Sequence, residues 1–156
     1  MAKHGKPVTI LMADDDADDR EMTREAFAES RLANDLRFVE DGVELMDYLN
    51  RRGKYSDPAS SPRPGLILLD LNMPKKDGRE ALEEIKTDPR FKNIRVVVLT
   101  TSKAEEDIYR TYDLGAASYI GKPVTFAALA EVIKTLGKYW LEIVELPGES
   151  EGGGDD

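Results

Sequence analysis

The clearest pattern in the chain is a series of short apolar runs, each ending in polar or charged residues and most followed by a stretch with helical spacing. Leu66 to Leu69 run without interruption into Asp70, and Met73, Pro74, Asp77 and Gly78 then break the run. Such a run suits a parallel strand covered on both faces, and a parallel sheet offers its chemistry at the carboxyl ends of its strands. Val8 to Ala13 (VTILMA) runs into Asp14, Asp15 and Asp16, and Leu36 to Val39 stops at Glu40 and Asp41. Ile94 to Leu99 ends in Thr100, Thr101 and Ser102, and Ser118 to Ile120 precedes Lys122 and Pro123.

Between these runs the apolar residues take up the helical period: Met22, Ala26 and Phe27; Val43, Leu45, Met46 and Leu49; Ala81, Leu82 and Ile85, closed by Pro89. A short helix over 104–114 stops at Gly115, and Thr125 caps a last helix starting near Phe126. Five strands and five helices in strict alternation predict an α/β fold, a doubly wound five-stranded parallel sheet with helices on both faces. The segment 53–65 (GKYSDPASSPRPG), dense in proline and serine, is expected to be a mobile surface loop.

The last helix is predicted to extend further than such a domain requires. Leu129, Ile133, Leu136, Trp140 and Ile143 form a heptad-like seam, with Val132, Tyr139 and Leu146 on a neighbouring stripe. Its second half, KYWLEIVEL, would expose Trp140 in a monomer, and large exposed apolar patches mark interfaces. A homodimer contact through Leu136, Tyr139, Trp140 and Ile143 is therefore expected; the alternative is that this end folds back on its own domain. One domain with a helical extension over 1–146 and a disordered acidic, glycine-rich tail over 147–156 is the expected organisation.

Composition narrows the chemistry. The chain has 156 residues, no cysteine and one histidine, His4, which excludes a disulfide framework, a thiolate nucleophile and histidine or cysteine metal clusters. Any metal must be hard and oxygen-bound. A formal charge of -9 disfavours nucleic acid and points to cations or protein partners. No apolar run approaches the roughly 18 residues of a membrane span, and the N-terminus lacks a signal-peptide centre, so a cytoplasmic setting is expected.

The strand ends place Asp14 to Asp16, Asp70, Thr100 and Lys122 at one edge of the sheet. Crowded carboxylates repel, and a bound cation relieves them; magnesium suits a few rigid oxygens. A lysine and a hydroxyl opposite the metal could clamp phosphoryl oxygens while Asp70 attacks phosphorus. Two other readings use the first acidic run. Asp14, Asp16, Asp18 and Glu25 fit part of a calcium loop, although Asp19 stands where that loop needs glycine. Asp14-x-Asp16 is similar to the nucleophile motif of haloacid-dehalogenase phosphatases, a reading that leaves Asp70 and the following MPKKDG unexplained.

From Val8 to Leu136 these motifs, in order and spacing, resemble the response-regulator receiver domains of two-component signalling, which share a flavodoxin-like fold with the chemotaxis regulator. The resemblance implies that Asp70 accepts a phosphoryl group from a sensor histidine kinase. It further implies that Asp15 binds magnesium directly, Asp14 largely through water, and that the Asn72 carbonyl completes the protein ligands. Thr100 and Tyr119 match the switch pair, Lys122 the phosphoryl-pairing lysine, Pro123 the family's cis-proline, and Asn72 and Ser102 the positions that tune dephosphorylation. A receiver-like binding module that is never phosphorylated remains the third reading. The proline-bearing loop, the TTS after the fourth strand and YWLEIVELP are similar to stand-alone regulators of phytochrome-type kinases, whose C-terminal extension supports dimers. With only 137–156 beyond the last core position, output is expected to pass through protein contacts, with unexceptional self-dephosphorylation.

Overall fold

The structure, a computed structural model, describes residues 8–138. The strands are β1 (Thr9–Ala13), β2 (Leu36–Val39), β3 (Pro64–Leu69), β4 (Arg95–Thr100) and β5 (Ser118–Gly121). They alternate with helices α1 (Ala17–Glu29), α2 (Gly42–Asn50), α3 (Gly78–Thr87), α4 (Glu105–Asp113) and α5 (Phe126–Leu136). All strand pairs are parallel and lie in the order β2-β1-β3-β4-β5, so β3, the most continuous apolar run, sits at the centre. The predicted α/β architecture is the observed one.

Every residue of β3 is buried, because successive side chains point to opposite faces and both faces are covered. Ile67 and Leu69 join Leu45, Leu82 and Ile85 beneath α2 and α3. Leu66 and Leu68 join Ala26, Phe27, Leu129 and Ile133 beneath α1 and α5. Ala81, Leu82 and Ile85 face inward as their spacing predicts, whereas Val43 is exposed and Tyr48 takes a buried position on α2. Thr125 caps α5, its Oγ1 accepting from the Ala128 amide at 3.1 Å.

Three expectations change. Leu136, assigned to the dimer seam, is buried in its own domain with Leu129 and Ile133, because its place on that stripe turns it toward α1 and the sheet. Tyr139, Trp140 and Ile143, the extended helix beyond 138 and the acidic tail lie outside the described residues. The 53–65 loop is fastened to α2 rather than free. Two short 3-10 turns shape it (Gly53–Tyr55 and Pro58–Ser60), Ser61 is buried with its Oγ on the Tyr55 carbonyl at 2.9 Å, and Tyr55 donates to Glu44 at 2.6 Å. Among the described residues every peptide bond is trans, including Lys122–Pro123; the Lys122 amide donates to the Thr100 carbonyl at 2.8 Å in that geometry. No helix of the described residues is long and apolar enough to cross a membrane.

Candidate functional site

Strand register assembles the site. Ala13 pairs with Leu69, so Asp14 and Asp70 are the next residues on neighbouring strands, and the Asp70 amide donates to the Ala13 carbonyl at 3.1 Å. Thr100 pairs with Gly121, which sets Lys122 beside the end of β4. Asp14, Asp70 and Thr100 are buried, with exposures of 0%, 6% and 0%. Lys122 Nζ donates to Asp14 Oδ2, Asp19 Oδ2 and Asp70 Oδ2 at 2.9, 2.8 and 3.0 Å. Thr100 Oγ1 donates to Asp70 Oδ1 at 2.8 Å, and the Asn72 amide reaches the same oxygen at 3.3 Å.

The turn after Asp70 is held by two close backbone approaches. A Cβ at Gly78 would lie 2.3 Å from the Asp70 carbonyl oxygen, and one at Gly42 would lie 2.0 Å from that of Lys76. Only glycine allows these contacts. Asp77 then caps α3, its Oδ1 accepting from the Arg79 amide at 2.7 Å, with Glu80 returning to the Asp77 amide in a capping box. The motif MPKKDG is thus a compact turn that presses the start of α3 against the end of β3.

Burial alone would push the Lys122 ammonium down, but its hydrogen bonds to Asp19 and Asp14, with the charges of Asp14 and Asp70, hold it above the ordinary lysine range. Burial raises the Asp14 carboxyl above its usual value, against the opposing hydrogen bonds from Lys122 and the Asp16 amide. Asp14, Asp15 and Asp70 each present a carboxylate oxygen within 4.8 Å of the others, with Asp15 exposed to solvent. This donor set, all oxygen and in excess over the one lysine, fits a hard divalent cation.

Asp16, Ser102, Tyr119 and Asp19 flank this cluster. Asp16 turns away from the site to cap α1, accepting from the Asp18 and Asp19 amides at 2.8 and 3.3 Å. Ser102 Oγ donates to Asp107 Oδ2 at 2.6 Å, while its amide reaches Thr100 Oγ1 at 3.4 Å. Tyr119 is half-buried and its hydroxyl donates to the Ser102 carbonyl at 2.9 Å. Asp19, noted in the sequence only as the residue that departs from a calcium loop, is a third carboxylate on Lys122. Its signal is its position at the head of the stripe Asp19, Thr23 and Ala26, whose last two members are buried.

A second ion pair lies beside the site. Arg79 Nε and Nη2 donate to the two oxygens of Asp107 at 2.7 and 2.6 Å, and Nη1 donates to Asp77. The Arg79 guanidinium, aided by the Ser102 hydroxyl, pulls the Asp107 carboxyl down to about 2. A depressed carboxylate contributes stability that is present above its unfolded value and lost as pH falls through its folded value. Asp107→Asn is therefore expected to cost about 2 kcal/mol above pH ~5, and the gap to the unsubstituted protein should close as pH falls toward about 2. Urea unfolding across that range checks it; a gap independent of pH would contradict the pair's electrostatic role.

Buried acids, a clamped lysine and a threonine on the central aspartate, at the carboxyl edge of a five-stranded parallel sheet, define a class. Residues 10–134 match the response regulator receiver domain, and the chain belongs to that family. Response regulator Rcp1 of Synechocystis sp. is 42% identical over 141 residues, covering 90% of this chain and 94% of Rcp1. The structure of the Mn(2+)-bound form of Rcp1 superposes with a TM-score of 0.83, covering 91% of this chain and 100% of that one. The phosphorylated cyanobacterial phytochrome response regulator RcpA is 43% identical with a TM-score of 0.84, over 92% of this chain and 100% of RcpA. Bacteriophytochrome response regulator RtBRR is 37% identical with a TM-score of 0.72, over 91% of this chain and 85% of its own. The protein is a receiver-domain response regulator related to those of phytochromes, a signalling protein whose clustered Asp14, Asp15 and Asp70 could hold a metal ion.

Proposed function

We propose that Asp70 takes the phosphoryl group of a phosphohistidine on a sensor kinase of the phytochrome type. The observation that carries this is the single carboxylate on which Thr100, the Asn72 amide and Lys122 converge. An Asp70 oxygen forms a bond to phosphorus as the phosphorus–nitrogen bond of the donor breaks, and the released imidazole nitrogen takes a proton from solvent. Asp14, Asp15 and Asp70, with the Asn72 carbonyl, would hold magnesium, which would offset the charge of the transferring group. Lys122 neutralises a phosphoryl oxygen, and Thr100 follows the group. Hydrolysis of the acyl phosphate is slow, with Asn72 and Ser102 flanking the path of water.

The response is read by a protein partner in the cytoplasm. Tyr109 and Tyr112 on α4 are 67% and 48% exposed, and Val124 before α5 is 93% exposed, an apolar surface next to the Thr100 and Tyr119 switch pair. A second copy of the chain pairs through Tyr139, Trp140 and Ile143; light scattering of a chain truncated before Lys138 should then show a smaller species than the full chain.

Incubation with acetyl phosphate and magnesium is expected to add one phosphate by intact mass, and a chelator should abolish the gain. A haloacid-dehalogenase-like phosphatase would instead turn over a phosphate ester many times and lose that activity in Asp14→Asn. The helix-capping role of Asp16 stands against it. A receiver-like binding module would bind magnesium with no gain in mass.

A further inference from the structure

The polar residues around Asp70 form a closed circuit that reaches α4. Asp70 accepts from Thr100 Oγ1 at 2.8 Å, and the Ser102 amide reaches that hydroxyl at 3.4 Å. Ser102 Oγ donates to Asp107 on the first turn of α4, and Asp107 is held in a two-pronged pair by Arg79 on the first turn of α3. Arg79 Nη1 comes back to within 3.5 Å of the carbonyl of Leu71, the residue after Asp70. The same guanidinium holds the α3 cap Asp77 at 3.0 and 3.1 Å.

Asp107 is 8% exposed and Thr111, one turn later, is fully buried, so the inward face of α4 is polar where the other helices present apolar side chains. Thr111 is satisfied within its own helix, its Oγ1 on the Asp107 carbonyl at 2.8 Å. Asp107 is therefore the side chain that fixes the start of α4 to the rest of the domain by charge. Paired forks of this kind are directional as well as strong.

We propose that Arg79 and Asp107 are positioning residues that tie the movement of α4 to the state of Asp70, through the ring Asp70, Thr100, Ser102, Asp107, Arg79 and Leu71. The proposal rests on the reading of Asp70 as the phosphoryl acceptor. A phosphoryl group on Asp70 requires the Thr100 hydroxyl to exchange its carboxylate partner for a phosphoryl oxygen. That displacement is carried by the chain to Ser102, which holds both the Tyr119 hydroxyl on its carbonyl and Asp107 on its own hydroxyl. Arg79 supplies the fixed point, because its other contacts are to the turn that immediately follows Asp70. Without the fork the 100–102 segment can move while α4 stays where it is, and occupancy of the site no longer reaches Tyr109 and Tyr112. Coupling of this kind is a measurable difference between two states, not a line drawn between residues.

The test compares full-length protein with Arg79→Gln, Asp107→Asn, the double variant and Ser102→Ala. Intact mass after acetyl phosphate and magnesium reports occupancy, and amide NMR before and after reports the response at Tyr109 and Tyr112. Arg79→Gln, Asp107→Asn and the double variant are expected to gain one phosphate to within about twofold of the parent, while in every variant the shift changes on α4, read per phosphorylated molecule, fall to less than about half, a loss of coupling and not of chemistry. The double variant should lose no more than either single one, because each already opens the ring. A purely structural pair would lower the urea midpoint and leave the α4 response whole, which would overturn the proposal. Ser102→Ala keeps the ion pair intact, so it decides the matter if the charge variants do not fold; a full response there also overturns it. Failure of the parent protein to gain mass would instead sink the acceptor reading of Asp70, and with it this one.

Discussion

Lys122→Met should lose about 3 kcal/mol of stability in magnesium-free buffer, the cost expected when one partner of a buried ionic cluster is removed. The lysine side chain is 11% exposed and lies between three carboxylates, two of which, Asp14 and Asp70, are buried. Removing its charge leaves those acids facing one another with no counter-ion. A cation that binds the folded site and not the unfolded chain restores stability in proportion to its affinity. Added magnesium should therefore raise the urea midpoint of Lys122→Met more than that of the unsubstituted protein. The same substitution removes a preorganised charge from the phosphoryl oxygens and is expected to slow labelling by acetyl phosphate about 100-fold. Equal stability of the two proteins in chelator would contradict the role given to Lys122 here.

Gly78→Ala should be as damaging, for a steric reason. The added methyl would lie 2.3 Å from the Asp70 carbonyl oxygen and 2.7 Å from the Leu71 Cα, both backbone atoms that cannot swing aside. To admit it, α3 must back away from the end of β3, which breaks the bond from the Gly78 amide to the Leu71 carbonyl, now 2.9 Å. A loss of about 3 kcal/mol is expected, at the upper end of the range for overpacking. Asp70 is displaced with its own backbone, and a misplacement near 1 Å costs about 100-fold in a reaction that depends on in-line geometry. Gly121→Ala is the control: a Cβ there meets nothing within 4 Å, and both stability and labelling should be unchanged. Urea unfolding and labelling rates of the two variants check the pair of expectations, and a stable, active Gly78→Ala would refute the close approach.

The centre of the sheet was legible because β3 and β4 are buried on both faces, so Leu66 to Leu69 and Val96 to Leu99 read as unbroken apolar runs. Asp14, Asp70, Thr100 and Lys122 were legible for a related reason: each stands at or just past the carboxyl end of a strand. What the sequence hid are contacts between distant positions. Asp19 and Lys122 are 103 residues apart, and Arg79 and Asp107 are 28 apart, and neither pair leaves a local spacing to detect. Asp16 looked like a third site acid because an N-cap and a metal ligand ask for the same residue type. The proline-rich loop looked free because its anchors, buried Ser61 and the Tyr48 hydroxyl on the Pro62 carbonyl at 2.7 Å, are polar groups of the kind that usually face water. Leu136 looked like an interface residue because a heptad seam does not say which of its members the domain itself has already covered.

The most direct test of the central claim is to locate the phosphoryl group. The protein is labelled with acetyl phosphate and magnesium, reduced with borohydride, which converts an aspartyl phosphate to homoserine, and sequenced by fragmentation. Homoserine in place of Asp70, and no labelling in Asp70→Asn, is the expected result. Homoserine in place of Asp14 or Asp15, or a label that survives Asp70→Asn, would contradict the assignment of Asp70 as the residue that accepts phosphorus.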